Sequence, residues 1–325
     1  MLPTIAEIGE HGVIERVAAR IAAQWPHDPR VLVGIGDDAA VLAAATPTVV
    51  CTDAVVEGVH FRDQWSSGAD VGAKLAARNF SDIAVMGADP TALLVSLTAP
   101  ADTAVSWVES FIDGVIAECV RAGAALVGGD TSSGWGVVAS ATAVGHLRAN
   151  AAVTRSGARA GNLIAICGSP GRAAAGLAAL MAGRGDELPA TLVSAHVRPQ
   201  PDYAAAAAAT GAGATAMIDT SDGLLVDLGH LAAASGVVVD IDPDLLPSDP
   251  DIAAAAALLD HDGATWRLAG GEDHLVVAAF PVGAALPPGF TVIGTASEPG
   301  SGSEQPGVLV RGRPWSGPAG YEHFR

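Results

Sequence analysis

Short apolar runs of strand length alternate along this chain with longer alanine-rich stretches whose apolar positions recur at helical spacing. VLVGIG and TVVCTDAVV have the β-branched density of strands, whereas ADVGAKLAARNFSDIAVMG and VSWVESFIDGVIAECVRAG carry the period of amphipathic helices. GAALVGG and GVVASATAVGHL return to strand character, so the first half is predicted to be mixed α/β. LRANAAVTRSGARAG, rich in small and polar residues, marks a boundary; NLIAICG then opens a new strand and GSPGRAAAGLAALMAG a loop and helix. A second α/β unit is expected. ASEPGSGSEQPGVLVRGRPWSGPAG is dense in Gly, Pro and Ser and is expected to be loop or irregular, with GYEHFR folding back onto the body. Uncharged runs such as YAAAAAATGAGATAMI are too short for a spanning helix, which needs about 20 predominantly apolar residues.

Composition narrows the function. The 325 residues are half hydrophobic, enough for a substantial core, and at roughly 100–200 residues per domain they suggest two domains. Thirty-five acidic against 17 basic residues give a formal charge of −18, which repels nucleic acid and provides no anchor on an anionic membrane. An anionic substrate must therefore be met by a local cationic pocket or by bound metal ions. Cys51, Cys119 and Cys167 are far apart with no CxxC pair, which indicates neither a disulfide framework nor a thiolate zinc site. The opening MLPTIAEIGEHGVIERV lacks a basic region followed by an apolar core, so a soluble cytoplasmic protein is expected.

Aspartates recur at the ends of the apolar runs: Asp37 and Asp38 in GIGDDAAVL, Asp53 in CTDAVVEGVHF, Asp82 in ARNFSDIAVMGADP, Asp130 in LVGGDTSSG, and Asp219 and Asp222 in MIDTSDGLLVDLG. Any one of them could be a turn former or helix cap, and Ser221 or Asp222 could be the N-cap of the helix that follows. Together they suit a hard divalent cation such as Mg²⁺, which takes carboxylate oxygens together with water and substrate phosphates. EF-hand spacing is absent. Gly128 and Gly129 before Asp130 would let backbone N–H groups approach a phosphate. There is neither a GxxxxGK[ST] loop nor a GxGxxG after a strand, so a different nucleotide site is required. Lys74, Arg78 and Asp82 fall on one face of a predicted helix, where Arg78 and Asp82 can form an i,i+4 pair and Lys74 is expected to be solvated. Trp107 and Phe111 are expected in the core.

GIGDDAAVL, TDAVVEGVHF, NFSDIAVMGADP, GGDTS, VTRSG, GSPG, IDTSDGLLVDLGH and GGED, in this order from Gly34 to Asp273, resemble the thiamine-monophosphate kinases of the aminoimidazole-ribonucleotide-synthetase superfamily, and GYEHF resembles that family's ending. The resemblance implies a two-domain α/β fold with mixed sheets packed against helices. Residues 1–148 would form an ATP- and Mg²⁺-binding domain that pairs in a homodimer, and residues 149–325 an α/β domain completing the active site. It also implies ATP-dependent phosphorylation of thiamine monophosphate by direct in-line transfer, with several Mg²⁺ ions and no covalent phosphoenzyme. By the same resemblance Asp37, Thr52, Asp53, Asp82, Asp130, Asp219 and Asp222 are metal ligands, Gly129, Asp130, Arg155 and Ser221 contact the nucleotide, and His60, Glu272 and Tyr321 line the thiamine-phosphate pocket. No dedicated base is implied, because the acceptor phosphate is already ionised near neutral pH.

Two departures stand out. After GGED the family commonly continues Tyr-Glu-Leu, whereas His274, Leu275 and Val276 follow here, and Cys51 stands where a hydroxyl residue is frequent. Rival expectations are a purine-biosynthesis synthetase or selenophosphate-forming relative, and a non-catalytic nucleotide-binding maturation protein. EGVHF with GGDTS favours the thiamine branch, no N-terminal Cys/Lys-bearing glycine loop points to selenium chemistry, and the maturation relative would be expected to end in a cysteine-containing tail rather than HFR.

Overall fold

The structure is a computed structural model that describes residues 16–26, 29, 31–33, 41–42, 47–149, 151–300 and 305–321. Asp37, Asp38 and the last four residues of GYEHFR lie outside the described residues. The chain divides into two compact units, one made of Met1–Ile83 and Ala88–Asn150, the other of Ala84–Gly87 and Ala151–Arg325.

In the first unit residues 16–24 are helical, and Val31–Val33 pairs with Val41–Leu42. Its main sheet has four strands, β1 (Thr48–Val56), β2 (Ala88–Ala99), β3 (Ala125–Ser133) and β4 (Val138–Leu147), in the order β1-β4-β2-β3. Only the β2–β3 pair is parallel, and α2 (Val105–Ala122) makes the crossover that a parallel connection requires. Helix α1 (Gly68–Val85) connects β1 to β2. The two helices meet backbone to backbone. A Cβ on Gly72 would lie 2.0 Å from the Phe111 carbonyl oxygen, and one on Gly114 2.0 Å from that of Ala69. Phe111 is fully buried and stacks on half-buried Trp107, in line with their expected core role.

The second unit carries a six-stranded sheet of β5 (Leu163–Cys167), β6 (Ala216–Asp219), β7 (Val238–Ile241), β8 (Val276–Phe280), β9 (Phe290–Ser297) and β10 (Gly307–Val310), ordered β10-β7-β9-β5-β8-β6. Helices α3 (Arg172–Met181), α4 (Ala190–Val197), α5 (Tyr203–Gly211), α6 (Leu224–Ser235), α7 (Pro250–Leu259) and α8 (Gly263–Ala269) complete it. The side-chain period of two splits each strand between two cores. Ile164, Ile166, Val277 and Ala279 share a core with Leu225, Leu228 and Leu231 of α6, whereas Ala165, Val276, Ala278 and Phe280 pack with Ala205, Ala206 and Ala209 of α5. Within the Gly/Pro-rich segment expected to be irregular, GVLV forms β10, parallel to β7, because Val308 and Val310 pack against the α6-side core. Asp202, Asp249 and Asp262 are helix caps: each side chain accepts a backbone N–H in the first turn of α5, α7 or α8. Among the described residues no helix is long and apolar enough to cross a membrane.

Replacing Gly72 and Gly114 by alanine forces α1 and α2 apart, and each substitution is expected to cost about 1–3 kcal/mol. Thermal unfolding should show a lowered midpoint for each single variant; unchanged midpoints would mean that the helices do not meet through these glycines.

Candidate active site

In the first unit Asp53 and Asp82 lie beside Cys51, next to the buried Asn79 of α1. Cys51 and Asp53 project from the same face of β1, where Cys51 Sγ donates to the Asn79 carbonyl at 3.1 Å and the Asp53 N–H donates to Asn79 Oδ1 at 3.0 Å. Asn79 itself donates to the Leu75 carbonyl at 2.9 Å, which fixes its amide. Burial, and then the charges of Asp82 and Asp53, push the Cys51 thiol far above its ordinary range, so it stays protonated with both carboxylates near it. Arg78 Nε approaches Asp53 Oδ2 at 3.7 Å and offsets part of that charge.

Not every candidate joins this group. Thr52 points to the opposite face of β1 and donates to the Ala141 carbonyl at 2.8 Å. A register row crosses the sheet from Asp53 through Ala141 and Val95 to Gly129, which puts Gly129 and Asp130 on the far edge strand, three strand spacings or about 14 Å away. Gly129 has no space for a side chain, since a Cβ would come within 1.8 Å of the Val95 carbonyl oxygen. His60 lies in the turn after β1; its Nδ1 accepts the Val56 N–H at 3.1 Å, leaving the ring proton on Nε2. Lys74, the one lysine in the sequence, is buried rather than solvated, because α1 is packed where its face was expected to meet water, and its Nζ donates to the His60 carbonyl at 2.8 Å.

In the second unit β6 ends at Asp219, and the loop Thr220–Gly223 leads into α6. The N-cap of α6 is Gly223, with no side-chain cap, so neither Ser221 nor Asp222 has the capping role that was one alternative. Instead Asp227, in the first turn of α6, accepts the N–H groups of Asp222 at 3.2 Å and Gly223 at 3.0 Å. The loop is then laced to the GGEDHL segment: Glu272 N–H to the Ser221 carbonyl at 2.8 Å, His274 N–H to the Thr220 carbonyl at 2.9 Å, and Leu275 N–H to Thr220 Oγ1 at 3.0 Å. The Tyr321 N–H reaches the Asp222 carbonyl at 2.9 Å, so Asp219, Ser221, Asp222, Glu272 and Tyr321 are brought together. Arg155 is not part of this cluster. Its carbonyl accepts from Ser235 at the C-terminal end of α6, a helix about 18 Å long whose other end carries the aspartate loop.

Three side chains of the GGEDHL turn are anchored in different directions. Glu272 Oε2 lies 3.1 Å from His196 Nδ1 at the end of α4, and His274 Nδ1 lies 2.8 Å from Asp219 Oδ2. Between them the buried Asp273 accepts the N–H groups of Gly171 at 2.5 Å and Ala173 at 2.8 Å, capping α3 from a hundred residues away. Glu272 and His274 have φ of +67° and +52°, conformations uncommon for side-chain-bearing residues and concentrated at functional sites. Sequence reasoning passed over Asp227, Asp273, His196 and Asn79. For Asp227 the signal was available, an acidic residue four positions after the glycine of SDGLLVD; for the others it was not, because their partners are distant in the chain.

The charge balance of the loop is unfavourable without a cation. Burial, and then the charges of Asp219 and Asp222, push the Asp227 carboxyl up to about 8, and burial raises Asp273 to about 6 against the pull of its two N–H donors. Among the described residues no three His, Cys, Asp or Glu side chains form a group able to hold an ion unaided. The donor set nevertheless fits Mg²⁺, which uses one or two carboxylates and completes its shell with water and phosphate oxygens.

Residues 36–147 match the family model for the N-terminal domain of AIR synthase related proteins, and residues 159–278 the model for the C-terminal domain. The thiamine-monophosphate kinase of Mycobacterium tuberculosis (strain H37Rv, ATCC 25618) is 45% identical over 324 residues, covering 99% of this chain and 93% of that protein. The crystal structure of thiamine-monophosphate kinase from Stenotrophomonas maltophilia K279a superposes with a TM-score of 0.80 at 32% identity, covering 92% of this chain and 96% of that one. AaThiL complexed with AMPPCP and TMP superposes with a TM-score of 0.78 at 31% identity over 98% of both chains.

Asp273 binds its proton more tightly folded than unfolded, since its carboxyl is raised from 3.8 to about 6. Its contribution to stability is therefore fully present below about pH 4 and is lost as pH rises through 6, by up to about 3 kcal/mol. Asp273→Asn should flatten the decline in unfolding free energy between pH 4 and 6; an unchanged slope would show that the group titrates normally.

Proposed function

This chain belongs to the thiamine-monophosphate kinase family, and on that premise we propose that it transfers the γ-phosphoryl group of ATP directly to the terminal phosphate oxygen of thiamine monophosphate. The products are thiamine diphosphate and ADP, and no covalent phosphoenzyme forms. The observation that carries this reading is the β6–α6 junction, where burial and then the charges of Asp219 and Asp222 push the Asp227 carboxyl up to about 8, a concentration of acidic groups suited to metal-bound phosphates.

Asp37, Thr52, Asp53, Asp82, Asp130, Asp219 and Asp222 are the proposed Mg²⁺ ligands. Bound Mg²⁺ would neutralise the phosphate charge that otherwise keeps two polyanions apart in a chain of net charge −18. Gly129, Asp130, Arg155 and Ser221 are assigned to the nucleotide, with the Arg155 guanidinium suited to phosphate oxygens. Glu272, turned by His196, offers a carboxylate to the cationic thiazolium, Tyr321 offers a half-exposed ring for it to stack on, and His60 completes the pocket. Transfer of this kind needs alignment and charge neutralisation more than a base, because the acceptor oxygen is already ionised. Residues 1–148 are proposed to bind ATP and Mg²⁺ and to pair in a homodimer, and residues 149–325 to complete the active site. The cytoplasm is the proposed compartment.

Incubation with ATP, Mg²⁺ and thiamine monophosphate should yield thiamine diphosphate and ADP by chromatography, with no product from free thiamine or formylglycinamidine ribonucleotide and none without metal. Asp222→Asn and Asp130→Asn should each lower kcat at least a hundredfold while unfolding as the parent does. Full activity in both variants would remove the metal-ligand assignment, and ADP released only with the ribonucleotide would move the chain to the synthetase branch.

A further inference from the structure

The imidazole of His274 has one polar engagement that the structure defines. Its Nδ1 lies 2.8 Å from Asp219 Oδ2, both side chains are almost wholly buried, and Nε2 is buried with no hydrogen-bond partner among the described residues. The arrangement is costly to build. Leaving a buried ring nitrogen unpaired is destabilising, and the left-handed backbone of His274, φ +52°, adds strain. Neither cost is explained by packing alone, since an apolar residue would fill the same interior without stranding a nitrogen. What the ring gains is a fixed relation to Asp219: the His274 N–H is tied to the Thr220 carbonyl, and β8 begins two residues later with Val276 in register with Asp219.

We propose that His274 is a positioning residue that donates Nδ1–H to Asp219 and holds that carboxylate in the rotation from which it binds a divalent cation. The inference rests on the reading of Asp219 as a metal ligand. Donors of this kind fix the orientation of a ligating group, and their loss typically weakens metal binding 10- to 100-fold. A purely structural histidine would change stability when replaced and leave metal affinity alone.

The test is Mn²⁺ binding to the full-length protein saturated with the non-hydrolysable analogue AMPPCP, read by isothermal titration calorimetry against a protein-free AMPPCP blank. His274→Leu removes the donor and should raise the Kd for Mn²⁺ at least tenfold. His274→Asn should stay within about threefold of the parent, because its amide N–H can replace Nδ1–H and asparagine tolerates a positive φ. His274→Gly, which also suits that backbone, makes the same comparison if the leucine variant fails to fold. Asp219→Asn is measured in parallel. Weakening by Asp219→Asn with unchanged affinity in both His274→Leu and His274→Gly overturns the positioning role alone. Unchanged affinity in Asp219→Asn overturns the metal-ligand reading beneath it.

Discussion

Asp219 at the end of β6, Asp222 in the loop that follows and Asp227 in the first turn of α6 lie close together, and the cost of burying acidic groups beside one another is the constraint around which this end of the second unit is organised. A loop carrying that charge would open in water unless its backbone were tied down. The ties are main-chain hydrogen bonds to Glu272, His274 and Tyr321, with Asp227 drawn back onto the N–H groups of Asp222 and Gly223. Each uses a backbone group that burial would otherwise leave unpaired. The GGEDHL turn that makes most of these bonds is itself held by three anchored side chains and two left-handed residues, so strain and charge are concentrated in adjacent segments.

Close backbone approach is what permits this concentration. A Cβ on Gly271 would lie 2.6 Å from the Ser221 carbonyl oxygen, and one on Gly320 2.7 Å from that of Asp222, so glycine is needed at these two close approaches to the aspartate loop. The first unit uses the same device at Gly72 and Gly114 between its helices and at Gly129 in its sheet. Small residues thus serve packing and the site together.

Much of the fold was legible in the chain because its signals are local. TVVCTDAVV is β1 residue for residue, and the two 18-residue helices follow the amphipathic runs expected to form them. The exceptions were decided by tertiary partners. GVLV looked like part of a loop until a parallel neighbour and a core gave it a sheet edge, and Lys74 looked solvated until α1 proved to be packed on that side. Recurring aspartates at the ends of apolar runs marked the site region, and the helix caps at Asp202, Asp249 and Asp262 lay outside those candidates. Asp273 was invisible for a different reason: its partners, Gly171 and Ala173, lie a hundred residues earlier.

We propose that the laced aspartate loop receives nucleotide phosphates through a divalent cation. Hydrogen–deuterium exchange of residues 219–227 and 272–275, measured with the non-hydrolysable analogue AMPPCP in the presence and absence of Mg²⁺, tests it directly. The expected result is slowed exchange in both segments only when analogue and metal are present together. Equal protection without metal, or none under any condition, would contradict it.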